Sequence, residues 1–231
     1  MKFFPIYEGG CLVSSRLGRA AVPLRSAGAG FEAKAAINAL EDSCAHARLG
    51  LLRALLAPPM ALKSWLWSRI KARNPARAQP MAPGSSDGGF SFDPAWLDKR
   101  CSLFSRLMVR LVSRRRMGAL RRRHYLRLLQ ELAGLPGCRP LHAQLPDGVY
   151  PWVFPLWVEQ PQQAFVALKQ AAVPVLRFGE YLWPGVNAEL CPNSVALSRH
   201  VLQFPCHQEL TPDELGWMIG RIRAVLGGGA P

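Results

Sequence analysis

Leu197–Thr211, with the sequence LSRHVLQFPCHQELT, decides how the C-terminal part of this chain folds. Its first residues are typical of a short helix or turn, and Val201–Phe204 then forms an apolar run suited to a buried strand. Thr211 is followed by Pro-Asp-Glu, which predicts a helix N-cap with proline at the first position and acids in the first turn. The stretch therefore predicts helix, strand and helix in immediate succession.

The residues around this stretch predict the rest of an α/β unit over 136–231. Val149–Val158 is rich in β-branched and aromatic residues, and its two prolines predict an edge or bulged strand. We expect a helix over 161–172, a short strand over 173–178 and a loop over 181–194. The last helix has an apolar stripe and ends at Gly227–Gly229; the stripe consists of Leu215, Met218, Ile219, Ile222 and Val225.

Basic helices precede this unit. Asp93-Pro94 predicts a helix start, and the helical pattern from Ala95 to about Ala133 is expected to break near Met117-Gly118. Two apolar stripes are expected; they are Leu103, Leu107 and Leu111, and then Tyr125, Leu128, Leu129 and Leu132. The triplets Arg114–Arg116 and Arg121–Arg123 are predicted to face mostly outward.

The N-terminal stretch MKFFPIYEGGCLVS, residues 1–14, reads as a lysine, a glycine turn and a strand. On these residues alone, Lys2 is best interpreted as an ordinary surface lysine at a frayed terminus. Residues 31–57 predict a helix. Residues 60–73 predict a basic, Trp-bearing helix that lies on a membrane surface or docks its aromatic rings on a partner domain. Residues 74–89 are typical of a linker.

The charge is strongly basic, with 29 Lys and Arg against 15 acids and a formal net charge of +14. Residues 99–127 contain eleven basic residues and no acid. Nucleic acid, an anionic membrane surface, a phosphate-rich substrate or an acidic remainder of a larger protein would each balance this charge. No stacking platform or DNA-binding motif accompanies the arginines, which disfavours nucleic acid and favours a solvated face or an acidic partner.

Composition excludes several classes of protein. An apolar content of 49% over 231 residues indicates a folded, soluble chain of one or two domains. No apolar run reaches the ~18–20 residues of a membrane span, and no signal peptide is apparent. The six cysteines are scattered, without CxxC or zinc-like spacing, so we expect no metal site and reduced, buried thiols in a cytoplasmic protein.

Three stretches, in this order, resemble the DegT/DnrJ/StrS family of pyridoxal-phosphate-dependent sugar aminotransferases. Lys2, five residues and Glu-Gly-Gly resemble the segment after that family's Schiff-base lysine. Arg121-Arg122-x-x-Tyr125-x-x-Leu128-Leu129 is similar to the helix that links its two domains. Leu197–Thr211 is similar to the segment before its last helix. The resemblance covers most of 1–20 and about 100–226.

The resemblance implies the C-terminal portion of a fold-type-I pyridoxal-phosphate transferase. It divides the chain into a large-domain remnant (1–40), a helical insertion and linker (41–92), basic linking helices (93–135) and a small α/β domain (136–231). It makes Lys2 the catalytic, cofactor-binding lysine and His207 a substrate-side residue, although His207 also fits a surface histidine after a buried strand. It implies transamination between a keto-sugar and an amino-acid donor, in a homodimer.

Two departures from the family pattern limit these expectations. Residues 172–178 lack the His-Tyr pair that the family carries on the corresponding strand. The family's large domain, which precedes the lysine, supplies the phosphate-binding turn, the stacking aromatic and the acid that faces the pyridine nitrogen. The sequence thus predicts a truncated chain with an incomplete cofactor site, inactive alone. The alternative is a non-enzymatic basic module, whose helices 44–77 and 99–127 bind an acidic partner, a membrane surface or nucleic acid.

Overall fold

A computed structural model describes residues 4, 6, 8–9, 15–16, 23–45, 58 and 94–228. The chain forms two compact units, one from 1–81 and 91–112 and the other from 82–90 and 113–231. The predicted strand after Glu-Gly-Gly, the helix over 60–73 and the linker over 74–89 lie outside the described residues. The fourfold domain division stays a prediction.

The first unit contains helix α1 (Ala29–Ala45), a 3-10 turn (Pro94–Trp96) and helix α2 (Leu103–Leu111). An extended segment at Arg25 pairs with the residues after the turn: its N–H donates to the Asp98 carbonyl at 2.7 Å, and its guanidinium forms an ion pair with the Asp98 carboxylate. The Phe31 and Trp96 rings lie 5.2 Å apart between α1 and the turn. These contacts join segments that are about 70 residues apart in sequence.

The predicted helix break near Met117-Gly118 is wrong, because the chain breaks at Val112-Ser113 instead. Ser113 has an extended backbone, and its Oγ accepts the Arg116 N–H at 3.3 Å, so it caps helix α3 (Arg114–Glu131). Gly118 remains inside that helix because it packs against the Tyr150 ring. A Cβ at Gly118 would lie 2.3 Å from that ring, so this glycine permits a close approach and does not end the helix.

The two predicted apolar stripes have opposite outcomes. Leu103, Leu107 and Leu111 are 54%, 44% and 78% exposed, so the α2 stripe does not form a core. Tyr125 and Leu128 of α3 are buried, as predicted. The difference follows from the elements available for packing, because α3 packs against strand β2 and the last helix of its unit.

The second unit confirms the predicted mixed α/β class. Its remaining elements are β1 (Cys138–Pro140), β2 (Val153–Val158), α4 (Pro161–Gln170), β3 (Leu176–Arg177), α5 (Pro192–His200), β4 (Val201–Pro205) and α6 (Pro212–Leu226). The strands form an antiparallel sheet in the order β1-β2-β4-β3. Alternate residues of β2 and β4 face a core that is completed by α3, α4 and α6.

The prediction of an edge or bulged strand over 149–158 is wrong, because β2 starts at Val153 and lies between β1 and β4. Pro155 is tolerated inside the sheet for a local reason. Its carbonyl accepts the Leu141 N–H at 3.1 Å, so its nitrogen also points toward β1, which ends at Pro140. The N–H that Pro155 lacks would therefore have pointed past the end of β1, where the hydrogen bonds between β1 and β2 stop.

The predicted start of α6 is confirmed. Thr211 Oγ1 accepts the Glu214 N–H at 3.2 Å, and the Glu214 carboxylate accepts the Thr211 N–H at 2.7 Å, which forms a complete capping box.

The strand predicted over 173–178 is shorter in the structure, where β3 covers only Leu176–Arg177, although Val173 and Val175 are buried. The loop predicted over 181–194 is shorter than expected, because α5 begins at Pro192. None of the helices among the described residues has the length and apolarity needed to cross a membrane.

Candidate functional site

Of the two predicted site residues, Lys2 lies outside the described residues and His207 lies in the loop between β4 and α6. His207 is partly buried, and its carbonyl accepts the Leu210 N–H at 3.2 Å. Two residues of α3, Arg121 and His124, form hydrogen bonds that hold this loop in place.

The two arginine triplets face mostly outward, as predicted, but Arg121 is an exception because its side chain is buried. Its Nε donates to Gln208 Oε1 at 2.7 Å and its Nη1 to the Pro151 carbonyl at 3.1 Å. Burial lowers the pKa of Arg121, but a guanidinium stays protonated at neutral pH. The burial of Arg121 could have been predicted from the sequence. Arg121 lies four residues before Tyr125 and seven before Leu128, on the face of α3 that carries the apolar stripe.

His124 fixes the other side of the loop. Its ring is buried, and Nδ1 lies 3.0 Å from the His207 carbonyl oxygen. A carbonyl oxygen only accepts, so Nδ1 carries the hydrogen of this bond. Burial, and then the neighbouring charge of Arg123, lower the pKa of His124, while the bond to His207 opposes this effect. The histidine is therefore held as a neutral donor.

The other members of the Arg-Arg-x-x-Tyr motif hold the loop between β1 and β2. Arg122 Nη1 donates to the Pro146 carbonyl at 2.6 Å and the Val149 carbonyl at 2.9 Å. The Tyr125 hydroxyl donates to the His142 carbonyl at 3.3 Å. The motif is thus a set of donors that satisfies carbonyl groups of two loops, which gives its residue types a structural reason.

The motif at Leu197–Thr211 also makes mainly backbone contacts. Ser198 Oγ donates to the Gly179 carbonyl at 2.6 Å, and the His200 ring stacks on Trp157 with 4.5 Å between ring centroids. Cys206 is buried, and burial raises the pKa of its thiol to about 12, so it is not a nucleophile at neutral pH. The prediction that the thiols are buried is wrong for Cys191, which is exposed in the turn before α5.

In the first unit, the acid of the Glu-Gly-Gly motif binds the N-terminus of α2. The Glu8 carboxylate accepts the Ser102 hydroxyl at 2.5 Å and the Ser105 hydroxyl at 2.5 Å. Gly9 has φ +95°, and a Cβ there would lie 2.7 Å from Cys101 Cβ. A carboxylate at a helix N-terminus is favourable, and only glycine fits next to it, so both residues have a structural role.

The N-termini of α2, α3 and α6 are already occupied and offer no phosphate site for pyridoxal phosphate, whereas α4 and α5 have no side-chain cap. Such a site needs free N–H groups for the phosphate, but the N-terminus of α2 already binds two carboxylates, since Glu32 accepts the Leu103 N–H at 2.7 Å. Helices α3 and α6 are capped by Ser113 and Thr211. Among the described residues, no group of three His, Cys, Asp or Glu side chains could hold a metal ion.

The lowered pKa of His124 predicts a pH dependence of stability. Between the folded pKa and the unfolded value of about 6.5, the unfolded chain binds the additional proton, so the free energy of unfolding falls as pH decreases. One proton gives a slope of up to about 1.4 kcal/mol per pH unit. His124→Asn keeps a donor for the His207 carbonyl and should reduce this slope in urea titrations between about pH 5 and 7.

The matched control is His142→Gln, since His142 is exposed on a loop. We expect this variant to keep the slope of the unmodified chain. An unchanged slope in His124→Asn, or an equal reduction in both variants, would contradict a buried neutral His124.

Comparison with known proteins gives solved structures only, since no family model and no curated protein matches this chain. A DegT DnrJ EryC1 StrS aminotransferase from Brucella abortus is 17% identical over 63% of this chain and 41% of its own length, with a TM-score of 0.47. DesV from S. venezuelae, solved in complex with a ketimine intermediate, is 20% identical over 60% and 40%, with a TM-score of 0.46. The aminotransferase TlmJ from Streptoalloteichus hindustanus is 20% identical over 53% and 34%, with a TM-score of 0.43.

The chain thus spans between 34% and 41% of the lengths of these three proteins. At such identities and TM-scores, we draw no conclusion about activity from the likeness. The hydrogen bonds within this chain are the stronger basis for a functional proposal.

Proposed function

We infer that this chain is an aminotransferase-like protein of the pyridoxal-phosphate-dependent type that acts in nucleotide-sugar, polysaccharide or secondary-metabolite biosynthesis. One observation supports this most directly: two of the three family-like motifs bind each other. Arg121 and His124 of the linking-helix motif donate to Gln208 and to the His207 carbonyl of the C-terminal motif. Two stretches that lie far apart in sequence, each carrying a family-like motif, are expected to bind each other when both belong to one inherited domain.

The proposal assigns two roles. Lys2 would hold pyridoxal phosphate through its side-chain amine and would move the proton, and the cofactor, when bound, would supply the electron sink for transamination. His207 lies on the substrate side, where His124 and Leu210 hold its backbone in place. The substrates in this proposal are a keto-sugar and an amino-acid donor, and the protein is a homodimer.

The proposal also requires polypeptide other than the described residues, since in the family that this chain resembles the domain that binds the phosphate precedes the lysine. It therefore treats the chain as the C-terminal portion of a fold-type-I transferase. The remaining parts of the cofactor site, namely the phosphate-binding turn, the stacking aromatic and the acid facing the pyridine nitrogen, would come from that additional polypeptide.

The test begins with the coding sequence upstream of Met1. We expect an open frame that encodes a phosphate-binding loop and an acid for the pyridine nitrogen. The protein made from that frame should form a bond to pyridoxal phosphate that borohydride reduces and that peptide mass spectrometry locates on Lys2. Lys2→Arg should lose the label, whereas Lys34→Arg, which changes an exposed lysine, should retain it.

Two results would contradict the proposal. One is a stop codon or unrelated sequence upstream of Met1, and the other is a label on lysines other than Lys2. The 231-residue chain alone should not form a stable bond to the cofactor, so a label on Lys2 in that chain would contradict the need for additional polypeptide.

A further inference from the structure

Helix α3 carries most of the positive charge of the second unit. It contains seven arginines and a single acid, Glu131. Arg121 and Arg122 donate to carbonyl groups inside their own unit. The other five are exposed, although Arg127 Nη1 also donates to the Pro212 carbonyl at 3.4 Å; they are Arg114, Arg115, Arg116, Arg123 and Arg127. The structural roles found for the linking-helix motif do not explain the exposed side chains of Arg116 and Arg123.

The exposed face of α3 has a regular pattern. Five exposed residues follow one another at alternating spacings of three and four; they are Arg116, Ala119, Arg123, Leu126 and Gln130, here called the arginine seam. This is the spacing of the contact positions of a coiled coil, and it covers about 21 Å at 1.5 Å per residue. Leu126 is 44% exposed, although the opposite face of the helix is buried. This spacing is common to every helix face, so the composition characterises the seam: Arg116 and Arg123 alternate with Ala119 and Leu126.

The acids of the described residues do not neutralise the seam. Glu131 forms an ion pair with Arg223 at 3.1 Å, and Asp147 one with Arg122 at 3.4 Å. No carboxylate of the described residues lies within ion-pair distance of Arg116 or Arg123. Within the described residues, these two guanidinium groups are thus available to carboxylates of an acidic partner.

We propose that the arginine seam binds an acidic amphipathic helix of a partner protein. The two arginines of the seam would meet glutamate or aspartate on the partner, while Ala119 and Leu126 would meet its apolar residues. Arg115 and Arg127 flank the seam at the positions where charged pairs select the partner of a coiled coil.

Other occupants fit less well. A second copy of α3 would place arginine against arginine, which is repulsive. A nucleic-acid backbone would match the guanidinium groups, but it offers no apolar surface for Leu126, and no exposed aromatic residue of α3 is available for base stacking. A partner helix uses both the charge and the apolar positions.

The experiment measures the binding of a fluorescent peptide to the full 231-residue chain by anisotropy. The peptide has about three heptads, with leucine at the positions that face Ala119 and Leu126 and glutamate opposite the arginines. A scrambled peptide of the same composition keeps the charge and loses the pattern. We expect the patterned peptide to bind at least about tenfold more tightly, with affinity that decreases as salt rises.

Two variants and one control locate the site. The double variant Arg116→Glu/Arg123→Glu should weaken binding by at least about tenfold, and Leu126→Ser should weaken it by about threefold or more. Arg199→Glu changes an exposed arginine on α5 and should stay within about twofold of the unmodified chain. Since all these residues are exposed, circular dichroism should show that each variant remains folded.

Three results would overturn the proposal. Equal binding of the scrambled peptide would mean that charge alone is recognised. An equal loss in Arg199→Glu would remove the seam as the site. Tighter binding of a 15-base-pair duplex DNA, lost in the double variant, would assign this face to nucleic acid. The proposal does not depend on Lys2 or on pyridoxal phosphate, so its failure and that of the proposed function are distinguishable.

Discussion

Replacing Arg121 by alanine is expected to lower the free energy of unfolding of the second unit by about 3–5 kcal/mol. The side chain is fully buried and donates to Gln208 and to the Pro151 carbonyl. Alanine would remove these donors, leave a buried carbonyl without its partner and create a cavity beside Tyr125. The measurement is urea unfolding followed by hydrogen exchange at the amides of β2 and β4, which reports on this unit alone.

Two controls separate this effect from the removal of a positive charge. Arg123→Ala changes an exposed arginine of the same helix and should alter stability by no more than about 0.5 kcal/mol. Arg121→Lys keeps the charge but loses the fork of donors, so an intermediate loss is expected. Equal stability of Arg121→Ala and Arg123→Ala would show that Arg121 is not the buried anchor of the two loops.

The sequence predicted the second unit well where local chemistry and global packing agree. The Thr211 cap and the apolar stripe of α6 need only residues within one helix, and both are present. The run over 201–204 became β4 because its apolar residues had a complete core to face. Such elements are locally specified, so propensity and periodicity are sufficient to locate them.

The predictions failed where a distant contact decided the outcome. Arg121 was expected outside because arginine is rarely buried, but the carbonyl groups it satisfies lie 30 residues away, in the loop before β2. Pro155 was expected at an edge because it lacks an N–H, but the end of β1 removes the need for that donor. Neither fact can be obtained from local sequence.

The candidate site shows the same limit. His207 was selected from the resemblance, but its surroundings were not predicted, because His124 reaches its carbonyl across 83 residues. The motif residues proved to be donors to backbone groups, a role that spacing alone does not distinguish from catalysis. Lys2, the residue on which the chemistry depends, stays a prediction.

Phe204→Ala is expected to destabilise the second unit by about 3–5 kcal/mol. Phe204 is completely buried in β4, and its cross-strand partner is Phe154 of β2, which in turn meets the Tyr125 ring edge-on at 5.0 Å between centroids. Truncation would remove one member of this aromatic group from a densely packed core, and the sheet around it can collapse only in part. Urea unfolding, with hydrogen exchange at β4, measures the loss.

Gln203→Ala is the matched control, because the neighbouring side chain points to the opposite face of the sheet and is only partly buried. It should cost no more than about 1 kcal/mol. Phe204→Leu keeps an apolar group and should fall between the two. Because β4 leads directly into the loop of His207, the exchange of the Leu210 amide, which donates to the His207 carbonyl, should also accelerate in Phe204→Ala. A loss confined to β4, with the Leu210 amide unchanged, would mean that α3 alone holds the loop through His124 and Arg121.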